Sequence, residues 1–266
     1  MKIAVIGGGA MGASLIRGWL AQGMLPEEIV AADPALARRE DLERLGIATF
    51  EDNTQAVAGA DLILLAVKPQ VAAAVLQGLA GACDGKRLFS IVAGLDTASI
   101  EEYCPIPVIR AMPNNPCQVG EGAIGICAGK FASQQELALA QELFGAVGLV
   151  VRVEENQMDA VTGLSGSGPA FVYLVVEALS DGGVLAGLPR GVATQLATQT
   201  VLGAARTLKE TGRLPAALKK EVTSPAGTTI WGLAQLEAHG VRSAIMDAVA
   251  SASERSAQLG SKKERK

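Results

Sequence analysis

Apolar residues fall along this chain in two rhythms. Up to about residue 154 they come mostly as short continuous runs, and beyond it they recur at three- and four-residue intervals. The continuous runs at residues 3–6, 28–32, 62–67, 87–92 and 107–110 read as strands covered on both faces, as in a parallel sheet. Residues 49–51 make a shorter strand. Residues 122–126 and 149–153 make two late ones, with a helix over 133–144 between them. The first run passes directly into glycines and then into Met11, Leu15, Trp19 and Leu20 at helical spacing. That sequence predicts a strand, a tight turn and a helix start.

After residue 155 the signals are helical throughout. Helices are predicted over 157–186, with an interruption near 166–169, and over 189–211, 215–222, 228–238 and 241–258. Pro189 and Pro215 suit first-turn positions, whereas Gly187, Gly212 and Gly240 suit helix ends. Val192, Leu196, Thr200, Ala204 and Leu208 form one stripe, and Val241, Ile245, Val249 and Ala252 another. A lone helical domain this apolar would expose too much surface, so a second subunit is expected to cover it.

The spacing Gly7-x-Gly9-x-x-Gly12 fits a dinucleotide site. Gly7 permits the turn, Gly9 lets a pyrophosphate approach backbone, and Gly12 lets helix and strand pack closely. Phosphates would then meet amides at a helix N-terminus. The fold class is therefore α/β: a Rossmann-type, mostly parallel sheet domain over residues 1–154, followed by an all-α dimerisation domain over residues 155–266. Asp33, at the end of the second strand, stands where a ribose contact belongs, and an acid there favours NAD. Arg38 and Arg39 just downstream would suit the extra phosphate of NADP, and Asp33 before Pro34 also suits a simple turn. Cofactor choice stays open between NAD and NADP. The other strand ends, which deliver Lys68-Pro69, Ala93-Gly94 and Ala111-Met112-Pro113-Asn114-Asn115-Pro116, should line the same rim.

Composition narrows the picture mainly by exclusion. In a chain of 266 residues the formal charge of −4 gives no footprint for nucleic acid, and the basic run at 262–266 reads as a solvated tail. The four cysteines lack a Cys-x-x-Cys pair and His239 is the single histidine, so no zinc site is expected. The longest charge-free stretch, residues 160–176, is broken by Gly163, Gly166, Gly168 and Pro169, unlike a membrane span. With no signal sequence evident, a reducing cytoplasm is the expected compartment.

Two further stretches carry candidate chemistry. Thr223-Ser224-Pro225-Ala226-Gly227-Thr228-Thr229 interrupts the helices and feeds a new one, which would suit a small carboxylate. Thr228 or Thr229 acting merely as a helix cap is the alternative. Residues 163–170 concentrate helix-disfavouring residues inside a helical pattern, which calls for a compensating contact with a nicotinamide face, a partner backbone or a packed neighbour.

Taken in order, residues 7–12, Ala66-Val67-Lys68-Pro69, Arg110-Ala111-Met112-Pro113-Asn114, residues 163–171 and residues 223–229 closely resemble pyrroline-5-carboxylate reductase. The resemblance extends from Lys2 to about Gly260. It implies an oxidoreductase that reduces the C=N bond of 1-pyrroline-5-carboxylate with NADPH or NADH to L-proline, and it implies homodimers able to build decamers. By position, Gly7, Gly9, Ala10, Met11 and Gly12 would hold the pyrophosphate and Asp33 would lie by the adenosine ribose. Asn53, Ala66, Val67, Lys68, Pro69, Val92 and Ala93 would border the rest of the cofactor. Glu155, Ser224, Gly227, Thr228 and Thr229 would fall at the substrate, with the Thr229 hydroxyl reaching the ring nitrogen.

Two departures stand out. Ala226 replaces a glycine usual in that loop, so a positive φ there would cost energy. Asp33 replaces the small or basic residues common where NADPH is preferred. A β-hydroxyacid dehydrogenase shares the two-domain plan but needs a lysine in the first long helix after the sheet domain, and no Lys or Arg lies between Arg152 and Arg190. A non-catalytic nucleotide sensor would need the glycine turn alone.

Overall fold

The computed structural model describes residues 1–260; the basic run at 262–266 lies outside the described residues. Eight strands form one sheet in the order β3-β2-β1-β4-β5-β6-β7-β8. They are β1 (Ile3–Ile6), β2 (Ile29–Ala32), β3 (Ala48–Phe50), β4 (Leu62–Leu65), β5 (Arg87–Ser90), β6 (Val108–Met112), β7 (Gly122–Ala128) and β8 (Gly148–Arg152). Pairing is parallel except between β6 and β7, which run antiparallel. The doubly wound core, β3 to β6, therefore carries a β7-β8 extension at one edge.

Alternation along the strands explains the continuous apolar runs. In β1, Ile3 and Val5 enter one core with Leu15, Ile16, Trp19, Phe89 and Phe144. Ala4 and Ile6 enter the other, with Val30, Ile63, Leu76, Leu88 and Val108. Each face is covered by helices: α1 (Ala10–Ala21), α2 (Leu36–Glu43), α3 (Asn53–Val57), α4 (Pro69–Leu79), α5 (Thr97–Glu101) and α6 (Gln134–Gly145). The Trp19 indole donates to the Leu143 carbonyl at 2.7 Å and ties α1 to α6. Cys83 and Cys104 stand side by side in the second core, both fully enclosed.

The helical part comprises α7 (Met158–Val161), α8 (Gly168–Leu185), α9 (Arg190–Thr211), α10 (Pro215–Glu221), α11 (Thr228–Ala238) and α12 (Val241–Gly260). Gly187, Gly212 and Gly240 take positive φ at helix ends, and Pro215 opens α10. Pro189 instead sits one residue outside α9, where its extended backbone ends the incoming loop. The interruption expected near 166–169 lies earlier, as a π-helical turn over Thr162–Gly166, and Gly168 and Pro169 already belong to α8.

Packing divides the chain into two units. One is Met1–Ser167 with the stretch from residue 250, and the other is Gly168–Val249. The second unit is mostly surface. Among the described residues, Leu174, Leu185, Trp231 and Met246 are 65%, 90%, 70% and 65% exposed, and its buried residues are small ones such as Ser180, Ala193 and Ala197.

Candidate functional site

The glycine turn shows why no other residue would serve at two of its positions. Gly7 has φ +107°, and a Cβ built there would lie 2.5 Å from the Ala66 carbonyl oxygen. At Gly12 a Cβ would lie 2.3 Å from the Gly7 carbonyl, so α1 could not approach β1. Gly9 precedes α1 with no side-chain cap and no acid in the first turn, which leaves first-turn amides and the helix dipole for an anion.

A cavity of about 880 Å³ opens over this turn. It is lined by Gly7, Gly9, Ala10, Met11, Asp33, Asn53, Ala66, Val67, Lys68, Pro69 and Ala93, all named from sequence. Its size, the glycine floor and the uncapped helix start fit an extended dinucleotide. Two residues named from sequence are not in its lining. Gly12 lies beneath the turn, and Val92 is buried in the second core. Ile91, one residue earlier, lines the cavity instead, because alternation out of β5 turns successive side chains to opposite faces. Lys68 is exposed at the N-cap of α4, and α4 itself was not evident in the sequence.

Asp33 is both a turn residue and a brace. Its Oδ1 accepts from the Ala35 amide at 2.9 Å. Its Oδ2 accepts from the Gly8 amide at 2.9 Å and from Arg38 Nη1 at 3.2 Å. Arg39 is tied down elsewhere, donating to the Asp33 and Pro34 carbonyls.

Glu155 lies in the first unit, in a network of its own. It pairs with Arg110 and accepts from the Thr97 hydroxyl at 2.7 Å and the Thr97 amide at 3.1 Å. Burial and the neighbouring Glu155 carboxylate push the Cys127 thiol up to about 12, and burial also raises Cys117, so neither is a nucleophile near neutrality. Glu155 borders a separate cavity of about 310 Å³ with Gly94, Asp96, Arg110 and Asp159. Asn114 is also structural: it donates to the Ser165 carbonyl at 2.9 Å and accepts from the Ala123 amide at 3.0 Å. Packing against the end of β6 thus gives the run at 163–170 a compensating contact, and a Cβ at Gly166 would lie 3.0 Å from Met112 Cε.

Ser224 and Gly227 lie in the second unit between α10 and α11, and Thr228 and Thr229 open α11. Ala226 takes φ +55°, the sole non-glycine positive φ among the described residues, as its replacement of glycine foreshadowed. The chain then enters α11 with Gly227 as N-cap and no side-chain cap. Capping by Thr228 or Thr229 is therefore not what these residues do. Their hydroxyls and the first amides of α11 stand without acceptors of that kind, beside one glycine too close to Ser224 Oγ to carry a side chain. His239 is at the other end of α11, about 16 Å away at 1.5 Å per residue, with Nδ1 on the Gln235 carbonyl at 2.8 Å. No cluster of potential metal ligands occurs among the described residues.

Comparison with known proteins gives a consistent result. Residues 155–259 match a family model described as pyrroline-5-carboxylate reductase dimerisation, and residues 2–94 match one described as NADP oxidoreductase, coenzyme F420-dependent. A pyrroline-5-carboxylate reductase of Synechocystis sp. is 49% identical, with 98% of this chain and 99% of the relative covered. The structure of a pyrroline-5-carboxylate reductase from Coxiella burnetii superposes with a TM-score of 0.92 at 35% identity, covering 98% of each chain. That of Plasmodium falciparum pyrroline carboxylate reductase with NADP bound gives 0.90 at 31% identity, again over 98% of each.

Proposed function

The chain belongs to the pyrroline-5-carboxylate reductase family, and from that premise we propose how its residues share out the reduction. The enzyme reduces the C=N bond of 1-pyrroline-5-carboxylate with NAD(P)H and yields L-proline, the last step of proline biosynthesis. When bound, the reduced nicotinamide supplies the hydride.

Gly7, Gly9, Ala10, Met11 and Gly12 form the pyrophosphate floor, with the amides at the start of α1 as donors. Asp33 stands at the adenosine end, and Asn53, Ala66, Val67, Lys68, Pro69, Ile91 and Ala93 shape the remainder. A protonated pyrroline nitrogen already makes its neighbouring ring carbon electrophilic, so the protein's task is placement rather than proton traffic. The amides of the loop ending in Gly227 and the start of α11 grip the substrate carboxylate, and Ser224 holds the loop's shape. Thr228 lines the same site, and the Thr229 hydroxyl bonds the ring nitrogen. Glu155, whose carboxylate is shared between Arg110 and Thr97, contributes by position rather than as a free charge.

One observation supports this reading above the others. Two threonines stand at an uncapped helix start just after the left-handed Ala226. Oxidation of NADPH or NADH followed by absorbance, with 1-pyrroline-5-carboxylate present and absent, tests it. Turnover that depends on the pyrroline and falls sharply in Thr229→Ala supports the assignment. Cofactor binding without substrate-dependent turnover would point to a nucleotide sensor.

The dimerisation region makes the enzyme a homo-oligomer. We propose that the dimers assemble further into a decamer, that the enzyme works in the cytoplasm, and that neither nucleic acid nor membrane is a partner. Residues Glu155–Leu185 are long and apolar enough to cross a membrane by composition alone. A π turn and several glycines interrupt them, and a partner subunit is the cover we assign to their apolar residues.

A further inference from the structure

The adenosine end of the cofactor cavity holds one acid and two arginines, and the sequence does not say which of them meets the ligand. Burial separates their roles. Asp33 is 2% exposed, and its oxygens already accept from the Gly8 amide, the Ala35 amide and Arg38. A carboxylate has about four acceptor positions, so little remains for a ribose hydroxyl. Arg39 is held by two backbone carbonyls, and its side chain is 15% exposed. Arg38, by contrast, lines the cavity with its side chain 50% exposed, and among the described residues its polar partner is Asp33. Its Nη1 lies 3.9 Å from where a Cβ of Gly9 would be, directly over the glycine turn.

We propose that Arg38 is the residue that reads the 2′ position of the cofactor's adenosine ribose, accepting the phosphate of NADPH, while Asp33 is a positioning residue that fixes the glycine turn beneath it. This rests on the reading of the cavity as the dinucleotide site. A guanidinium presents a planar fork of donors that suits phosphate, and an ion pair open to water yields readily to a doubly charged oxyanion. The buried Asp33 keeps Arg38 oriented when the cofactor is absent. Its bond to the Gly8 amide sets the turn for either cofactor.

Calorimetric titration of the whole enzyme with NADPH and NADH, and with 2′,5′-ADP and 5′-AMP as fragments, tests both roles without turnover. Arg38→Ala should weaken NADPH and 2′,5′-ADP by about tenfold or more, the scale of a lost charged hydrogen bond, and change NADH and 5′-AMP less than about twofold. Equal losses for both pairs, or none, would overturn the assignment to Arg38. Asp33→Asn should weaken binding of both cofactors by a similar factor and lower the melting temperature of the cofactor-free enzyme. Loss confined to NADH, with an unchanged melting temperature, would make Asp33 a ribose ligand and overturn its role as a brace. Failure of the wild-type enzyme to bind any of the four compounds would sink the cavity assignment itself, a result separable from either variant's behaviour.

Discussion

The two units of this molecule solve the problem of buried polar and apolar groups in opposite ways. The sheet unit covers most of what it holds: its strands are paired, those at its centre are buried on both faces, and the acid at the glycine turn is braced by its own chain, with Leu149 and Val151 of the edge strand β8 left exposed. The helical unit leaves many large apolar side chains and the two threonines that open α11 without such cover, with Leu174 and Trp231 well exposed and α11 uncapped. The contrast teaches that exposure has two meanings here. Open apolar residues suit a subunit interface, and on the proposed assignment the open polar groups that start α11 are the place for substrate.

The sharpest way to break this comparison is to put a charge on the open apolar face. On an isolated unit Leu174→Glu, at 65% exposure, would change stability by no more than about 0.5 kcal/mol. In the dimer it should abolish association, and light scattering after size exclusion should report monomer or aggregate. The matching change in the sheet unit is Leu15→Ala, at 0% exposure. It should cost about 2–5 kcal/mol in denaturant unfolding while leaving the oligomeric state intact in the folded fraction.

Smaller changes sharpen the polar half of the contrast. Thr229→Ala should lower kcat about a hundredfold, the scale of one hydrogen bond lost at a reacting group, because the protonated ring N–H would lose the hydroxyl oxygen that accepts it; NADPH affinity should change little. Ala226→Gly should stabilise the enzyme by about 0.5–1 kcal/mol. Relief of a left-handed alanine, about 1–2 kcal/mol, exceeds the extra entropy of glycine in the unfolded chain. The last test lies in the sheet unit and shows only at acid pH. Glu136, which opens α6, is lowered to about 2, first by the Ser133 hydroxyl and further by Arg87. A carboxyl depressed in the folded state stabilises above its unfolded value of 4.5 and ceases to do so as pH falls through 2. The stability gap between the wild type and Glu136→Gln should therefore shrink over that range.

Much of the sheet unit was legible because strands buried on both faces leave unbroken apolar runs, as in β1 and β4. The glycine turn was legible because backbone at Gly7 and packing at Gly12 admit no Cβ. The helices α2, α4 and α5 were not, since α2 buries just Leu42 and α4 hides behind the loop signal of Lys68-Pro69. Neighbours on opposite faces were also beyond reach: Ile91 lines the cavity where Val92 was expected, and nothing in the sequence separates Arg38 from Arg39. The π turn at Thr162–Gly166 shifts a hydrogen-bond register, which composition signals only as an excess of glycine and serine. Ala226 was the opposite case, a single departure from a family pattern that announced its own backbone strain.

A crystal structure of the enzyme with NADP and L-proline together examines the central claim most directly. The account predicts the Thr229 hydroxyl within hydrogen-bonding distance of the proline nitrogen, with the carboxylate on the amides that open α11 and the ring carbon against the nicotinamide. Proline bound elsewhere, with Thr228 and Thr229 remote from the nicotinamide of every subunit, would contradict it.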